Sequence, residues 1–88
     1  MIDSLALTGQ EFVMFSTEWC GYCKRLKSQL GEAGINFREI NVEENPDSAS
    51  FVEKVNGGNR VVPTLLFSDG SALTNPSVIA VKEKLSGL

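Results

Sequence analysis

Apolar residues in this chain gather in short runs and helical stripes. Phe12 to Phe15, within a stretch from Gln10 to Ser16, form a continuous run of strand length, the pattern of a strand buried on both faces. From about Cys20 to Ala33 the period changes. Cys23, Leu26, Leu30 and Ala33 fall on one helical stripe, Lys24, Arg25, Lys27 and Gln29 fall largely outside it, and Gly34 follows as a helix stop. Asn36 to Val42 carries Phe37, Ile40 and Val42 among polar neighbours, an alternation that slips by one position as at a bulge or a sheet edge. Asn45 and Pro46 predict an N-cap and a first helical proline, with Ala49, Val52 and Val55 as the buried stripe and Gly57 and Gly58 as the stop. Val61 to Phe67 is a β-branched apolar run, Asp69 and Gly70 form a turn signal, and Ala72 and Leu73 pair back as a short strand. Thr74, Asn75 and Pro76 repeat the cap-and-proline start, and Val78, Val81 and Leu85 supply the inward face of a terminal helix. The order is β-α-β-α-β-β-α. A right-handed crossover makes the first two strands parallel and the hairpin makes the last two antiparallel, so an α/β fold with a mixed four-stranded sheet and three helices is expected.

Length and charge narrow the class. The 88 residues predict one domain over 1–88, and an apolar fraction of 42% with 22% charged residues excludes disorder. The longest apolar runs are far short of a membrane span. Eight basic against eleven acidic residues give a net charge of −3 with no basic cluster, which removes the attraction that underlies nucleic-acid binding. Between Met1 and Leu5, Asp3 stands where a secretory signal would place basic residues, and the expected location is the cytoplasm.

Cysteine usage turns composition into chemistry. Cys20 and Cys23 are the two cysteines, and histidine is absent, so one chain cannot complete a four-cysteine or mixed cysteine–histidine zinc site. Lys24 follows the pair where haem attachment would require histidine. A disulfide closing so short a loop staples the fold only weakly. Redox chemistry remains, or a metal cluster shared between chains.

The pair falls where the first strand gives way to the first helix. A helix start presents unpaired N–H groups and partial positive charge, which stabilise a thiolate, the nucleophile of disulfide exchange. Dipole effects of about 1–2 kcal/mol correspond to roughly one pKa unit, enough to bring a thiol near 8.5 towards neutrality. Cys20 gains most, provided that its sulfur meets solvent; Lys24 and Arg25 are long and screened, and Glu18 opposes them. Cys23, one turn inward, is harder to ionise. Cys20 is therefore the expected nucleophile and Cys23 the thiol that resolves a mixed disulfide or closes the intramolecular bond. Gly21 permits close approach and Tyr22 can wall one side. Pro63 interrupts a run that otherwise reads as a central strand, where proline is poorly tolerated. A cis Val62–Pro63 bond at the strand's start would resolve this and turn the Val62 backbone towards the Cys20 pocket. Trp19 is either a flat wall for substrate or a packed residue. Asn75, with proline after it, is no glycosylation acceptor; it is expected to cap the last helix, whose exposed N–H groups near Thr74 and Asn75 could hold polar atoms.

Over almost the whole chain these residues resemble the glutaredoxin branch of the thioredoxin fold. The resemblance is carried by Trp19-Cys20-Gly21-Tyr22-Cys23, by Val62-Pro63-Thr64 and by the element order. The blocks from Asn56 to Thr64, Asp69 to Ser71 and Leu73 to Ser77 are similar, more narrowly, to the mycoredoxins. That resemblance implies a small cytosolic thiol-disulfide oxidoreductase that reduces mixed disulfides between proteins and mycothiol, and a monomer is expected. Mycothiol would be the co-substrate and no cofactor would be tightly bound. It assigns Cys20 as nucleophile, Cys23 as second thiol and Pro63 as the cis residue beside them. Glutaredoxins typically carry a basic residue shortly before the first cysteine and a Gly-Gly with acidic residues at the last helix start. Here Thr17-Glu18 and Thr74-Asn75-Pro76-Ser77 stand in those stretches, which suits an uncharged, sugar-bearing thiol better than glutathione. Two other readings are a thioredoxin-like carrier reduced by a flavoprotein and a dimeric glutaredoxin-like module holding an iron–sulfur cluster.

Overall fold

The computed structural model describes residues 7–88, and the Met1 to Leu5 segment weighed above lies outside them. The chain runs β1 (Phe12–Ser16), α1 (Gly21–Glu32), β2 (Arg38–Asn41), α2 (Pro46–Val55), β3 (Thr64–Phe67), β4 (Ala72–Thr74) and α3 (Val78–Ser86). The sheet order is β2-β1-β3-β4. β1 pairs parallel with β2, and β3 pairs antiparallel with both β1 and β4.

β1 is apolar from Phe12 to Phe15 and buried along its whole length, as suits a strand covered on both faces. Phe12 and Met14 pack with Leu26, Leu30, Leu65, Phe67, Val81 and Leu85, which places α1 and α3 on one face. Val13 and Phe15 pack with Val42, Ala49, Val52 and Leu66, which places α2 on the other. Burying side chains of this size contributes about 1.5–3 kcal/mol each. The slipped alternation before Val42 is an edge effect: β2 is an outer strand, Phe37 packs on the first cluster and Ile40 on the second.

Several expectations are corrected. Val55 is 40% exposed. Each three-residue step turns a helical side chain back by about 60°, so two steps from Ala49 carry it off the buried stripe. Ala33 is the exposed C-cap of α1, beyond its last turn. Asn45 is the N-cap of α2, but its Nδ2 donates to the Asn41 carbonyl and its side chain caps nothing. The last helix begins at Val78, two residues later than the cap-and-proline pattern predicts. Asn75 has φ +47° and donates its N–H to the Pro63 carbonyl at 2.7 Å, so the chain turns there in the left-handed region that asparagine tolerates. Ser77 takes over the N-cap, its Oγ accepting the Ala80 N–H at 3.1 Å.

Candidate active site

Pairing of Phe15 with Thr64 brings the residues after β1 and those before β3 to one end of the sheet. The 17–20 segment and the Val62–Pro63 bond therefore face each other. Cys20 is the N-cap of α1 and its Sγ accepts the Cys23 N–H at 3.0 Å, while its carbonyl accepts the Lys24 N–H at 3.1 Å. No acidic side chain occupies the first turn of α1 and no basic one its last, so the partial positive charge at this helix start is left to the sulfur.

Cys20 and Cys23 form a disulfide, with Cα atoms 5.2 Å apart. In this oxidised state Cys20 is 4% exposed and Cys23 is fully buried. Both cysteines are thus enclosed, and Cys20 is far less open than the sequence suggests, with the Val62 carbonyl 3.7 Å from its Sγ. That oxygen can accept a proton-bearing sulfur's hydrogen only in the reduced protein. The Val62–Pro63 bond is cis, Pro63 is buried and Val62 half-buried.

Asn56 is the residue that sequence reasoning missed. Its Nδ2 donates to the Val52 carbonyl at 2.8 Å and to Thr64 Oγ1 at 3.2 Å, and its Oδ1 accepts Thr74 Oγ1 at 2.6 Å. Thr64 Oγ1 in turn donates to the Val61 carbonyl at 2.7 Å. One amide thus ties the end of α2 to the residues flanking Pro63 and Asn75. The signal was an asparagine before two glycines, which reads as an ordinary helix stop.

Two clefts flank the cysteines. One, of about 390 Å³, lies between α1 and the start of α3 and is lined by Tyr22, Arg25, Gln29, Asn75, Ser77 and Ile79, with apolar Leu26, Pro76 and Val78 beneath. The other, of about 340 Å³, is lined by Ser16, Thr17, Glu18, Lys27, Glu39 and Glu44, with Asn41. Trp19 is 70% exposed, so it is no packed core residue, and its Nε1 donates to Glu43 at 3.2 Å. Tyr22 is 66% exposed against the first cleft. Thr74 is exposed and engaged by Asn56. Burial raises the Glu39 carboxyl, but hydrogen bonds from Lys27 and Ser16 and the Lys27 charge outweigh it, and its pKa lies below the usual value. Among the described residues no group of three or more His, Cys, Asp and Glu side chains is placed to hold a metal ion.

A cysteine pair joined across the first turn of a helix, opposite a cis-proline loop on this sheet, defines the protein as a thiol oxidoreductase of the thioredoxin fold. The family model for glutaredoxin matches residues 12–71, and the chain belongs to the glutaredoxin family. It is 54% identical over 72 residues to a glutaredoxin of Mycobacterium tuberculosis, covering 82% of this chain and 86% of the relative. It is 37% identical over 75 residues to Mycoredoxin 1 of Corynebacterium glutamicum, covering 85% and 92%. The glutaredoxin structure from Methanosarcina mazei shares the fold at a TM-score of 0.72 and 22% identity, covering 90% of this chain and 84% of that one.

Proposed function

We propose that the protein reduces mixed disulfides between proteins and mycothiol, with Cys20 as nucleophile and Cys23 as resolving thiol. The observation that carries this reading is the Cys23 N–H directed at Cys20 Sγ, at a helix whose first turn carries no acidic side chain. The 37% identity to Mycoredoxin 1 supports the choice of thiol. The Cys20 thiolate attacks the mycothiol sulfur of the mixed disulfide. The protein substrate leaves as its thiolate, and a Cys20–mycothiol disulfide forms. A second mycothiol thiolate then attacks the mycothiol sulfur of that bond, releasing mycothiol disulfide and restoring the Cys20 thiolate. Alternatively, Cys23 attacks Cys20 Sγ, mycothiol leaves, and the Cys20–Cys23 bond closes. Each step breaks one S–S bond and makes one, so electrons balance. Trp19, Tyr22 and the Val62 backbone flank the incoming thiol, with Thr74 and Asn75 further along. The protein acts in the cytoplasm as a monomer, without a tightly bound cofactor.

Side-by-side turnover with mycothiol, glutathione and a thioredoxin reductase tests this reading. Mycothiol should give the fastest reduction, Cys23→Ser should keep partial turnover and Cys20→Ser should keep none. Faster turnover with glutathione, or with the flavoprotein alone, would refute it.

A further inference from the structure

The clefts on the two sides of the cysteines differ in chemistry. The Tyr22–Ile79 cleft has a cationic side chain, Arg25, no acid and an apolar floor. The opposite cleft is walled by hydroxyl, amide and carboxylate groups, with three glutamates against the one ammonium of Lys27. Its fixed charges are partly committed: Glu39 Oε2 accepts both Lys27 Nζ at 2.8 Å and Ser16 Oγ at 2.6 Å. Asn41 Oδ1 accepts the Glu43 N–H at 2.9 Å. A second feature is independent of this acidity. Thr17, 4% exposed and in the wall of the cleft, has an Oγ1 without a hydrogen-bond partner. A buried hydroxyl left unpaired costs about 1–3 kcal/mol, and a ligand hydroxyl is a group that could pair with it.

We propose that this cleft is the subsite for the polyol portion of the small thiol, with Thr17, Glu18, Asn41 and Glu44 as its hydrogen-bonding groups. Polyols pair donors and acceptors with such walls, whereas an anion meets three carboxylates, and the Glu39 carboxylate that would draw a cation is already held by Lys27. The assignment rests on the sugar-bearing co-substrate of the preceding reading. It places recognition of the polyol in the Thr17–Glu18 approach to Cys20 and leaves Thr74 and Asn75 to the rest of the thiol.

The test is an amide-resolved NMR titration of the full oxidised chain with the thiol-free sugar portion of mycothiol. Saturable shifts at Thr17, Glu18, Asn41 and Glu44 are expected. They should weaken by about tenfold in affinity in Thr17→Val and in the exposed-site variant Glu18→Lys, as for loss of a hydrogen bond of about 1.4 kcal/mol. Shifts confined to Tyr22 and Asn75 to Ile79, no saturable shifts, or saturation by lysine amide but not by the sugar would each overturn the assignment. In turnover, Thr17→Val should raise KM for mycothiol by about tenfold, with a much smaller change in the KM for N-acetylcysteine. An equal rise for both thiols would also overturn it. Because the titration needs no thiol, its answer does not depend on whether mycothiol is the turnover substrate. A wild-type protein that turns over glutathione faster would refute the functional reading by itself.

Discussion

At the start of α1 the Sγ of Cys20 accepts the Cys23 N–H at 3.0 Å, and at the start of α3 the Oγ of Ser77 accepts the Ala80 N–H at 3.1 Å. Neither first turn contains an acidic side chain, whereas α2 carries Asp47 in its first turn. Both starts also adjoin the same loop: Val62 O lies beside Cys20 Sγ, and Pro63 O accepts the Asn75 N–H. The backbone device is thus repeated, and the capping atom differs. A serine hydroxyl stays neutral across the range in which proteins fold. A thiol near 8.5 is within reach of the helix start's partial charge. Under the proposed mechanism, reactivity would come from placing an ionisable atom in an ordinary capping position.

Cys20→Ser is the strongest way to break the comparison, because it gives α1 the cap that α3 has. Disulfide reduction should fall on the order of 1,000-fold or more, as the nucleophile is lost. Thermal stability, compared between reduced proteins, should change little, since serine is a favoured N-cap. Cys20→Ala should lose both the reaction and the cap. A steady-state assay with a melting curve on each variant separates the two effects. A stable but equally active Cys20→Ser protein would refute the role given to that sulfur.

Asn56→Ala removes the tie from the end of α2 to the loop that both helix starts adjoin. Three hydrogen bonds end on its side-chain amide, two of them on the threonines next to Pro63 and Asn75. Their loss should destabilise the protein by about 2 kcal/mol, a fall in Tm of about 10 °C. Turnover measured well below that melting temperature should also fall, because Thr64, which holds the Val61 carbonyl next to Val62, loses its bond to Asn56. Loss of stability without loss of turnover would restrict Asn56 to a structural role.

How far these features could be read in advance follows from their range along the chain. The strand β1, the Cys20 position at the start of α1 and the cis proline are local patterns, and the structure agrees with each. The start of α3 misled because Thr74-Asn75-Pro76 carries the usual cap-and-proline order. A long-range bond from the Asn75 N–H to Pro63 turns the chain there and hands the cap to Ser77. Asn56 was silent because its partners Thr64 and Thr74 lie 8 and 18 residues away. The pairing of Thr17 and Glu18 with Glu39, Asn41 and Glu44 around one cleft requires the parallel β1–β2 register, and no spacing rule reveals it.

Ser77→Ala sharpens the comparison from the other side. It deletes the α3 cap bond without touching sulfur, so the expected loss is about 1 kcal/mol, or about 5 °C in Tm. The rate with reduced Cys20 should stay within about twofold if the α3 start contributes only structure to the chemical step. A loss as deep as that of Cys20→Ser would mean that this helix start takes part in the reaction.

Acid titration gives the smallest effect and distinguishes how the two helices are tied down. Lys27 of α1 pairs with Glu39 of β2 at 2.8 Å, and Lys84 of α3 pairs with Asp69 of the β3–β4 turn at 2.7 Å. Hydrogen bonds from Lys84 and Ser71 hold the Asp69 carboxyl well below the usual carboxylate range, further than Glu39 is held. A carboxylate with a depressed folded pKa contributes stability above its unfolded value, near 4, and loses it as pH falls through the folded value. These pairs should therefore leave Tm flat between about pH 5 and 8 and lower it slightly under acid, because exposed pairs are screened. The α1 tie should loosen first, so Glu39→Gln should flatten the upper part of that acid decline and Asp69→Asn the lower part. Melting curves of wild type and both variants across this range check the order. The reverse order would mean that α3, the helix without the sulfur, has the weaker hold on the sheet.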